Sequence, residues 1–273
     1  MPELPEVETI VRALRDGGRG GKSVLGGVIT GAELRWLRTL AEPTADEFLI
    51  RLIGQRIEMV DRRAKFINFH LSRDNLLIHL RMSGDLRVEP AQLPPAVHDR
   101  ALLLLDNGLR IAFHDTRKFG RIWLTAEPQT ILGRLGPEPL SPDFTPDRLN
   151  QCLSGHRRQI KPLLLDQTVI AGLGNIYTDE ALHRAGLHPR RNSQSLSTAE
   201  VVALWAGIRA VLQEGIDRNG ASIDWVYRGG DFQNSFRVHL RAGQPCLVCG
   251  TLVERAVIGQ RSSYFCSNCQ PIF

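Results

Sequence analysis

From about residue 24 to 125 the apolar residues fall in short runs of strand length. Phe66-Ile67-Asn68-Phe69-His70-Leu71, Leu76-Leu77-Ile78-His79-Leu80, Ala101 to Leu105 and Leu109-Arg110-Ile111-Ala112-Phe113 are such runs, although strict alternation does not hold throughout. Asp106-Asn107-Gly108 between the last two is a hairpin signal. Several short strands at this spacing predict a sandwich or barrel. Ahead of them, Val7, Ile10, Val11 and Leu14 form an apolar stripe at helical spacing. Pro5 suits the first turn of that helix, and Glu6 and Glu8 suit the positive end of its dipole. Helical spacing returns from about 147 to 219, with Leu204, Ile208, Val211 and Leu212 on one face and Ser197 or Thr198 able to cap. Between the two patterns, Pro128, Pro137, Pro139, Pro142 and Pro146 read as an interdomain linker.

Composition narrows the class. A chain of 273 residues predicts roughly two domains. With 42% hydrophobic and 23% charged residues, global disorder is excluded. No apolar stretch approaches the roughly 20 residues of a membrane helix. The N-terminus carries Glu3, Glu6 and Glu8 instead of a basic segment followed by an apolar run. A cytoplasmic protein without a membrane partner is expected. The balance of 34 Lys+Arg against 29 Asp+Glu, a formal charge of +5, is compatible with a polyanionic partner but is a weak signal alone. Basic residues recur at Arg157, Arg158, Lys161, Arg184, Arg190, Arg191 and Arg241, which an ordinary solvated surface would explain equally well.

The cysteines are clustered. Cys152 stands alone, while Cys246, Cys249, Cys266 and Cys269 form two Cys-x-x-Cys knuckles with 250–265 between them. That is zinc-ribbon spacing: each knuckle sets two thiolates on one turn, and two turns at the ends of a hairpin close a tetrahedron. The alternative, a pair of disulfides, needs an oxidising compartment that the N-terminus does not suggest. Four cysteine ligands leave no open position, so the expected zinc is structural. Cys152 is expected to be an inert, partly buried thiol.

Met1 precedes a small residue, Pro2, after which an initiator methionine is normally removed. The mature chain then begins with a secondary amine, with Glu3 beside it. An α-amino group titrates near about 7.7–8.0, so a useful fraction is neutral and nucleophilic near pH 7. Plain helix initiation would account for Met-Pro-Glu by itself.

The longer string Met1-Pro2-Glu3-Leu4-Pro5-Glu6-Val7-Glu8-Thr9 resembles the N-terminus of bacterial formamidopyrimidine-DNA glycosylases. Arg62-Arg63-Ala64-Lys65-Phe66, His79-Leu80-Arg81-Met82-Ser83-Gly84, Asp115-Thr116-Arg117-Lys118-Phe119-Gly120, Leu135-Gly136-Pro137-Glu138-Pro139-Leu140 and Gly172-Leu173-Gly174-Asn175-Ile176-Tyr177 resemble later motifs of that family, in its order. The ribbon completes the match, which spans nearly the whole chain.

The resemblance implies a multidomain α+β fold. A catalytic β-sandwich with its N-terminal helix covers 2–128, a linker 129–146, a helix–two-turn–helix domain 147–235 and a zinc ribbon 236–273, with DNA in the cleft between the halves. It implies a monomeric base-excision-repair enzyme acting on double-stranded DNA. Oxidised purines (8-oxoguanine and formamidopyrimidines) are removed, and the strand is nicked at the abasic site by β,δ-elimination. Pro2 would be the nucleophile, since its sugar adduct is a cationic iminium that acts as an electron sink. Glu3 would be the general acid–base, and Lys65 the lysine that assists elimination. Met82, Arg117 and Phe119 match the residues that fill the void left by the extruded nucleotide. Without the resemblance, Met82 and Phe119 read as core and Lys65 as surface charge. Lys161, Asn175, Arg261 and His98 match DNA-backbone contacts, although His98 is nearly as well read as a structural histidine. Gly172 and Gly174 suit a backbone approach to phosphate ahead of a helix N-terminus.

Two features depart from the family pattern. The segment from Gly220 to Phe232, through Trp225 and Tyr227, stands where the family caps the flipped base and is shorter than common versions. Val238-His239-Leu240-Arg241 lacks the usual Tyr-Gly pair. Two other functions compete: an endonuclease VIII-like enzyme for oxidised pyrimidines, and a non-catalytic DNA-binding relative. The Leu4 to Thr9 string and the Met82, Arg117, Phe119 set favour the purine branch; Pro2, Glu3 and Lys65 argue against the non-catalytic one.

Overall fold

The chain is described by a computed structural model covering residues 1–222 and 229–272. It divides into two units, Met1–Arg134 with Ala221–Gly230, and Leu135–Gly220 with Asp231–Phe273.

The first unit opens with helix α1 (Leu4–Asp16), whose stripe Leu4, Val7, Ile10, Val11 and Leu14 is buried. It ends at Gly17, whose φ of 82° no longer follows the helix. After α1 come β1 (Ile29–Leu34), β2 (Leu40–Glu42) and helix α2 (Ala45–Leu52). There follow β3 (Ile57–Arg63), β4 (Phe66–Leu71), β5 (Asn75–His79), β6 (Gly84–Pro90), β7 (Asp99–Leu105), β8 (Leu109–Asp115) and β9 (Arg121–Thr125). The described residues form one sheet in the order β1-β7-β8-β6 and another in the order β2-β9-β5-β4-β3. The β7–β8 turn is the expected hairpin, with Gly108 at φ 76°.

One core joins the sheets. Ile29, Leu86, Leu103, Ile111 and Phe113 of the first meet Val60, Ile67, Phe69, Ile78, Ile122 and Leu124 of the second, with Val7, Ile10, Phe48 and Leu52 from the helices. Each such side chain contributes about 1.5–3 kcal/mol of burial, which fixes the strand register. The architecture is the expected sandwich.

Register also decides where the turns fall. Arg63 pairs with Phe66, Phe66 with His79, His79 with Arg121, and Gly84 with Asp115. The turns at 64–65, 80–83 and 116–120 therefore share one end of the sandwich.

The second unit contains α4 (Pro146–Ser154), α5 (Ile160–Leu164), α6 (Asn175–Arg184) and α7 (Thr198–Asp217), after the short α3 (Gln129–Leu132) of the first unit. Ser197 caps α7 and forms a capping box with Glu200. The proline-rich stretch from 135 onward is folded onto this unit instead of running free. Gly136 lies so close to Val169 that a Cβ would sit 2.6 Å from its carbonyl, and Arg209 donates to the carbonyls of Pro139 and Ser141. Several of the recurrent basic residues are held in ion pairs, among them Arg158 with Asp166, Arg184 with Glu214 and Arg191 with Glu200. A β-hairpin, β10 (Glu254–Ile258) and β11 (Arg261–Phe265), carries the ribbon. Among the described residues no helix is long and apolar enough to cross a membrane.

Candidate active site and metal centre

The N-terminus of α1 is built around Glu6. Pro2 is buried and Glu3 is 2% exposed. The Glu3 backbone N–H donates to Glu6 Oε2 at 2.8 Å, and the Ala221 N–H donates to Glu6 Oε1 at 2.8 Å. Glu6, read from sequence only as a dipole partner, thus ties the residue beside Pro2 to the start of the 221–230 segment. Of the segment from Gly220 to Phe232 expected to cap the flipped base, residues 223–228 lie outside the described residues.

Lys65 sits in the two-residue turn between β3 and β4 and is 4% exposed. Ala64 ahead of it has φ 53°, the left-handed conformation that the first position of a primed hairpin turn requires. Arg62 steadies the turn from below, donating to the Ala64 carbonyl at 3.0 Å and to Glu8 of α1 at 3.2 Å. Glu8 and Arg62 thereby lock the first turns of α1 beside the lysine.

His79 follows on the neighbouring strand, edge-on to Phe66 at 4.7 Å. Burial, reinforced by the Arg81 and Lys65 cations, pushes its pKa down to about 3. The neutral ring accepts the Arg81 N–H at Nδ1, 3.0 Å away, which leaves Nε2 carrying the proton. This bond shapes the turn that carries Met82, which is half-buried.

On the next turn Arg117 lies over the Phe119 ring at 5.0 Å. Phe119 is 48% exposed, so the reading of Phe119 as core is excluded. His98 is exposed; Arg100 donates toward its Nδ1 at 3.2 Å and its ring meets His114 edge-on. His98 shares this end of the sandwich, because its carbonyl accepts the Asp115 N–H.

In the second unit, Gly172 (φ 89°) and Gly174 lead into α6, and the Gln167 side chain pins that loop to the Gly172 N–H and the Leu173 carbonyl. Asn175 begins the helix and donates through Nδ2 to the Ser262 carbonyl at 3.0 Å. Gly259 and Gln260, at φ 56° and 63°, make the tight hairpin turn that presents exposed Arg261. Lys161 differs from expectation. Its side chain has 0% exposure and bonds Asp179 at 2.6 Å and the Ser262 carbonyl at 2.9 Å. Its charge is met inside the fold by Asp179. Asp179 also meets His239 Nδ1 at 2.8 Å. Burial raises the pKa of neighbouring Glu180, opposed by the backbone N–H groups of His239, Val238 and Arg237. Leu240, in the stretch that lacks the family's Tyr-Gly pair, has φ 59°.

The four ribbon cysteines converge. All their sulfurs lie within 4.8 Å of one another, with Cys246 to Cys269 at 3.9 Å and Cys249 to Cys266 at 3.4 Å. A tetrahedral zinc with Zn–S near 2.3 Å spaces its ligands at about 3.8 Å, so the donor set fits one zinc and leaves no open position. Gly250 makes its turn at φ 77°, and Gln270 links the second knuckle to the Leu187 carbonyl.

Known proteins carry the same pattern. Family models match in three blocks: the formamidopyrimidine-DNA glycosylase N-terminal domain over residues 1–122, the formamidopyrimidine-DNA glycosylase H2TH domain over 135–226, and the zinc finger found in FPG and IleRS over 243–272. The formamidopyrimidine-DNA glycosylase of Roseiflexus sp. (strain RS-1) is 44% identical over 99% of this chain and 100% of its own length. The chain belongs to the formamidopyrimidine-DNA glycosylase family. The Chloroflexus aurantiacus member is 45% identical, over 99% of this chain and 98% of its own. Among solved structures, the MutM (FPG) protein from Thermus thermophilus has a TM-score of 0.87 at 40% identity over 98% of each chain. MutM in complex with carbocyclic 8-oxo-G containing DNA has a TM-score of 0.90 at 32% identity, over 99% of this chain and 100% of that one. The sandwich, helix–two-turn–helix and zinc-ribbon organisation and the single structural zinc are those of the family.

Proposed function

We propose that this chain excises oxidised purines, 8-oxoguanine and formamidopyrimidines, from double-stranded DNA and then nicks the abasic strand by β,δ-elimination. Glycosylase and lyase activity are those of its family; the residue roles are our assignment. Once Met1 is removed, the Pro2 nitrogen attacks the anomeric carbon of the extruded nucleotide. The glycosidic bond breaks, the base departs with its electron pair and a proton, and Glu3 protonates the opening sugar oxygen. The resulting iminium draws electrons from the sugar, so a proton is lost from the adjacent carbon and the 3′ phosphate leaves; a second elimination releases the 5′ phosphate. Lys65, beside the lesion phosphate, assists these eliminations.

Met82 and Phe119 fill the gap in the stack, and Arg117 donates to the orphaned base. A guanidinium has only donors, and cytosine offers two acceptors where adenine offers one beside an amino donor. Excision of 8-oxoguanine is therefore expected to be faster opposite cytosine. His98, Asn175 and Arg261 hold the backbone, and Lys161 supports them through Ser262. Bound zinc cross-links the two knuckles that carry the Arg261 hairpin. In this reading 2–128 is the catalytic part, 129–146 the connection, 147–235 the helix–two-turn–helix part and 236–273 the ribbon, working as a monomer on cytoplasmic DNA.

The observation that supports these roles is an aromatic at 48% exposure stacked with an arginine, on the same end of the sandwich as the turn that holds Lys65. Borohydride trapping on lesion DNA tests it: the adduct is expected on Pro2. An adduct mapped to Lys65, with Pro2 dispensable, would overturn the nucleophile.

A further inference from the structure

The turns that carry Met82 and Arg117 share one buried carboxylate. Asp115 is 0% exposed and Ser83 is 1% exposed. Asp115 Oδ1 accepts hydrogen bonds from the Ser83 hydroxyl and from the Arg117 N–H, the latter at 3.1 Å, while Oδ2 accepts the Gly120 N–H at 2.7 Å. The Ser83 oxygen itself accepts the Arg117 N–H at 3.1 Å, and Arg100 Nε donates to the Asp115 carbonyl at 2.6 Å. Hydrogen bonds to an ionised acceptor are the strong ones, and a buried carboxylate stripped of its donors is costly. Neither turn can shift without breaking into this cluster.

The backbones around it have no slack. Arg81 and Lys118, one in each turn, are non-glycine residues at φ 54° and 61°, a conformation that persists only where the surroundings enforce it. A Cβ at Gly84 would sit 2.5 Å from the Leu80 carbonyl, and one at Gly120 would run into the Phe113 ring. Lys118 lies over Trp36 at 4.1 Å. Above this buried base Arg117 and Phe119 stand exposed.

We propose that Ser83 and Asp115 are positioning residues that join the two turns into one rigid wedge, so that Met82, Arg117 and Phe119 enter the duplex together. This rests on the reading that those three side chains fill the void. A wedge ordered in advance does not have to be ordered when the base is extruded.

The test uses the full zinc-loaded chain and single-turnover assays on duplexes with 8-oxoguanine opposite cytosine or adenine, and with a pre-formed abasic site. Ser83→Ala is expected to slow excision of 8-oxoguanine by about tenfold or more, the scale of a small misplacement. It is also expected to shrink the cytosine-over-adenine ratio, with a clearly smaller loss of abasic-site nicking, where no base has to be extruded. Ser83→Thr, which restores the hydroxyl, should recover the ratio. Unchanged excision and ratio in Ser83→Ala, or equal loss of excision and nicking, would overturn the proposal. Should Ser83→Ala not fold, Ser83→Cys, with a weak donor of similar size, is read by the same ratio. Arg117→Ala separates the two layers. If it keeps the cytosine preference, the reading of Arg117 fails; if it loses the preference while Ser83→Ala keeps it, only the positioning role fails.

Discussion

At the end of the sandwich, Arg117 and Phe119 stand in solvent on one turn pinned from beneath by Asp115 and Ser83. Where α6 meets the zinc hairpin the arrangement is inverted. Lys161 has no exposed surface, its charge is answered by Asp179, and Asp179 is answered again by His239. Both regions use a buried carboxylate as the organising group. In the first it gathers neutral donors and leaves the functional side chains free to reach outward. In the second it neutralises the cation that the family resemblance assigned to a phosphate, while the neighbouring Arg261 stays exposed. A basic position within a motif is therefore no guide to which side of the surface its charge occupies. Paired buried charges serve geometry at a desolvation cost.

The contrast can be broken most forcefully by removing zinc. Strong chelation should melt the ribbon, detach Arg261 from its place beside Asn175, and abolish DNA binding, since structural zinc supplies about 10–16 kcal/mol in small modules. Retained DNA affinity in metal-free protein would mean that the hairpin stands without its cross-link. Next in size is Lys161→Met. It leaves the Asp179 carboxylate buried with His239 as a remaining partner and should lower unfolding free energy by about 3–5 kcal/mol in urea titrations. A loss below about 1 kcal/mol is the result expected of an exposed lysine instead.

The sandwich end is sharpened by pH. The folded-state pKa of His79, about 3, lies below the ordinary histidine value of 6.5, so protonation favours the unfolded chain. Its contribution is intact above pH 6.5 and declines as pH falls toward 3, by up to about 1.4 kcal/mol per pH unit. His79→Asn, which keeps an acceptor for the Arg81 N–H, should flatten the decline of melting temperature between pH 7 and 5. His183, also depressed, to about 4, remains in both proteins and cancels in the comparison. The smallest effect concerns the junction. Leu240 is 51% exposed at φ 59°, so Leu240→Gly should gain about 1 kcal/mol by relieving left-handed strain. A destabilised variant would show that the leucine side chain contributes more than its backbone costs.

Much of the molecule is legible in the unfolded chain. The α1 stripe, the strands at 66–71 and 109–113, the hairpin at Gly108, the cap at Ser197 or Thr198 and the cysteine knuckles are patterns within a few residues of one another. Local periodicity, turn chemistry and ligand spacing fix such features wherever the chain goes next. Pro2, Glu3, Lys65, Met82, Arg117 and Phe119 are legible as candidates because family motifs are contiguous strings. The proline-rich stretch reads as a free connection and is not one, since proline content does not reveal that Arg209 will reach its carbonyls.

The sequence by itself determined the strand-rich and helical regions and the zinc ligand set through short-range pattern, and its resemblance to a known family supplied the domain plan and the candidate catalytic residues. Only the tertiary structure decided how those residues are held. Ser83 meets Asp115 across 32 positions, Lys161 meets Asp179 across 18 and Ser262 across 101, and Glu6 meets Ala221 across 215. Each of these bonds is set by strand register and helix packing in the folded chain, where a buried polar group must find its partner or lose its solvation unrepaid.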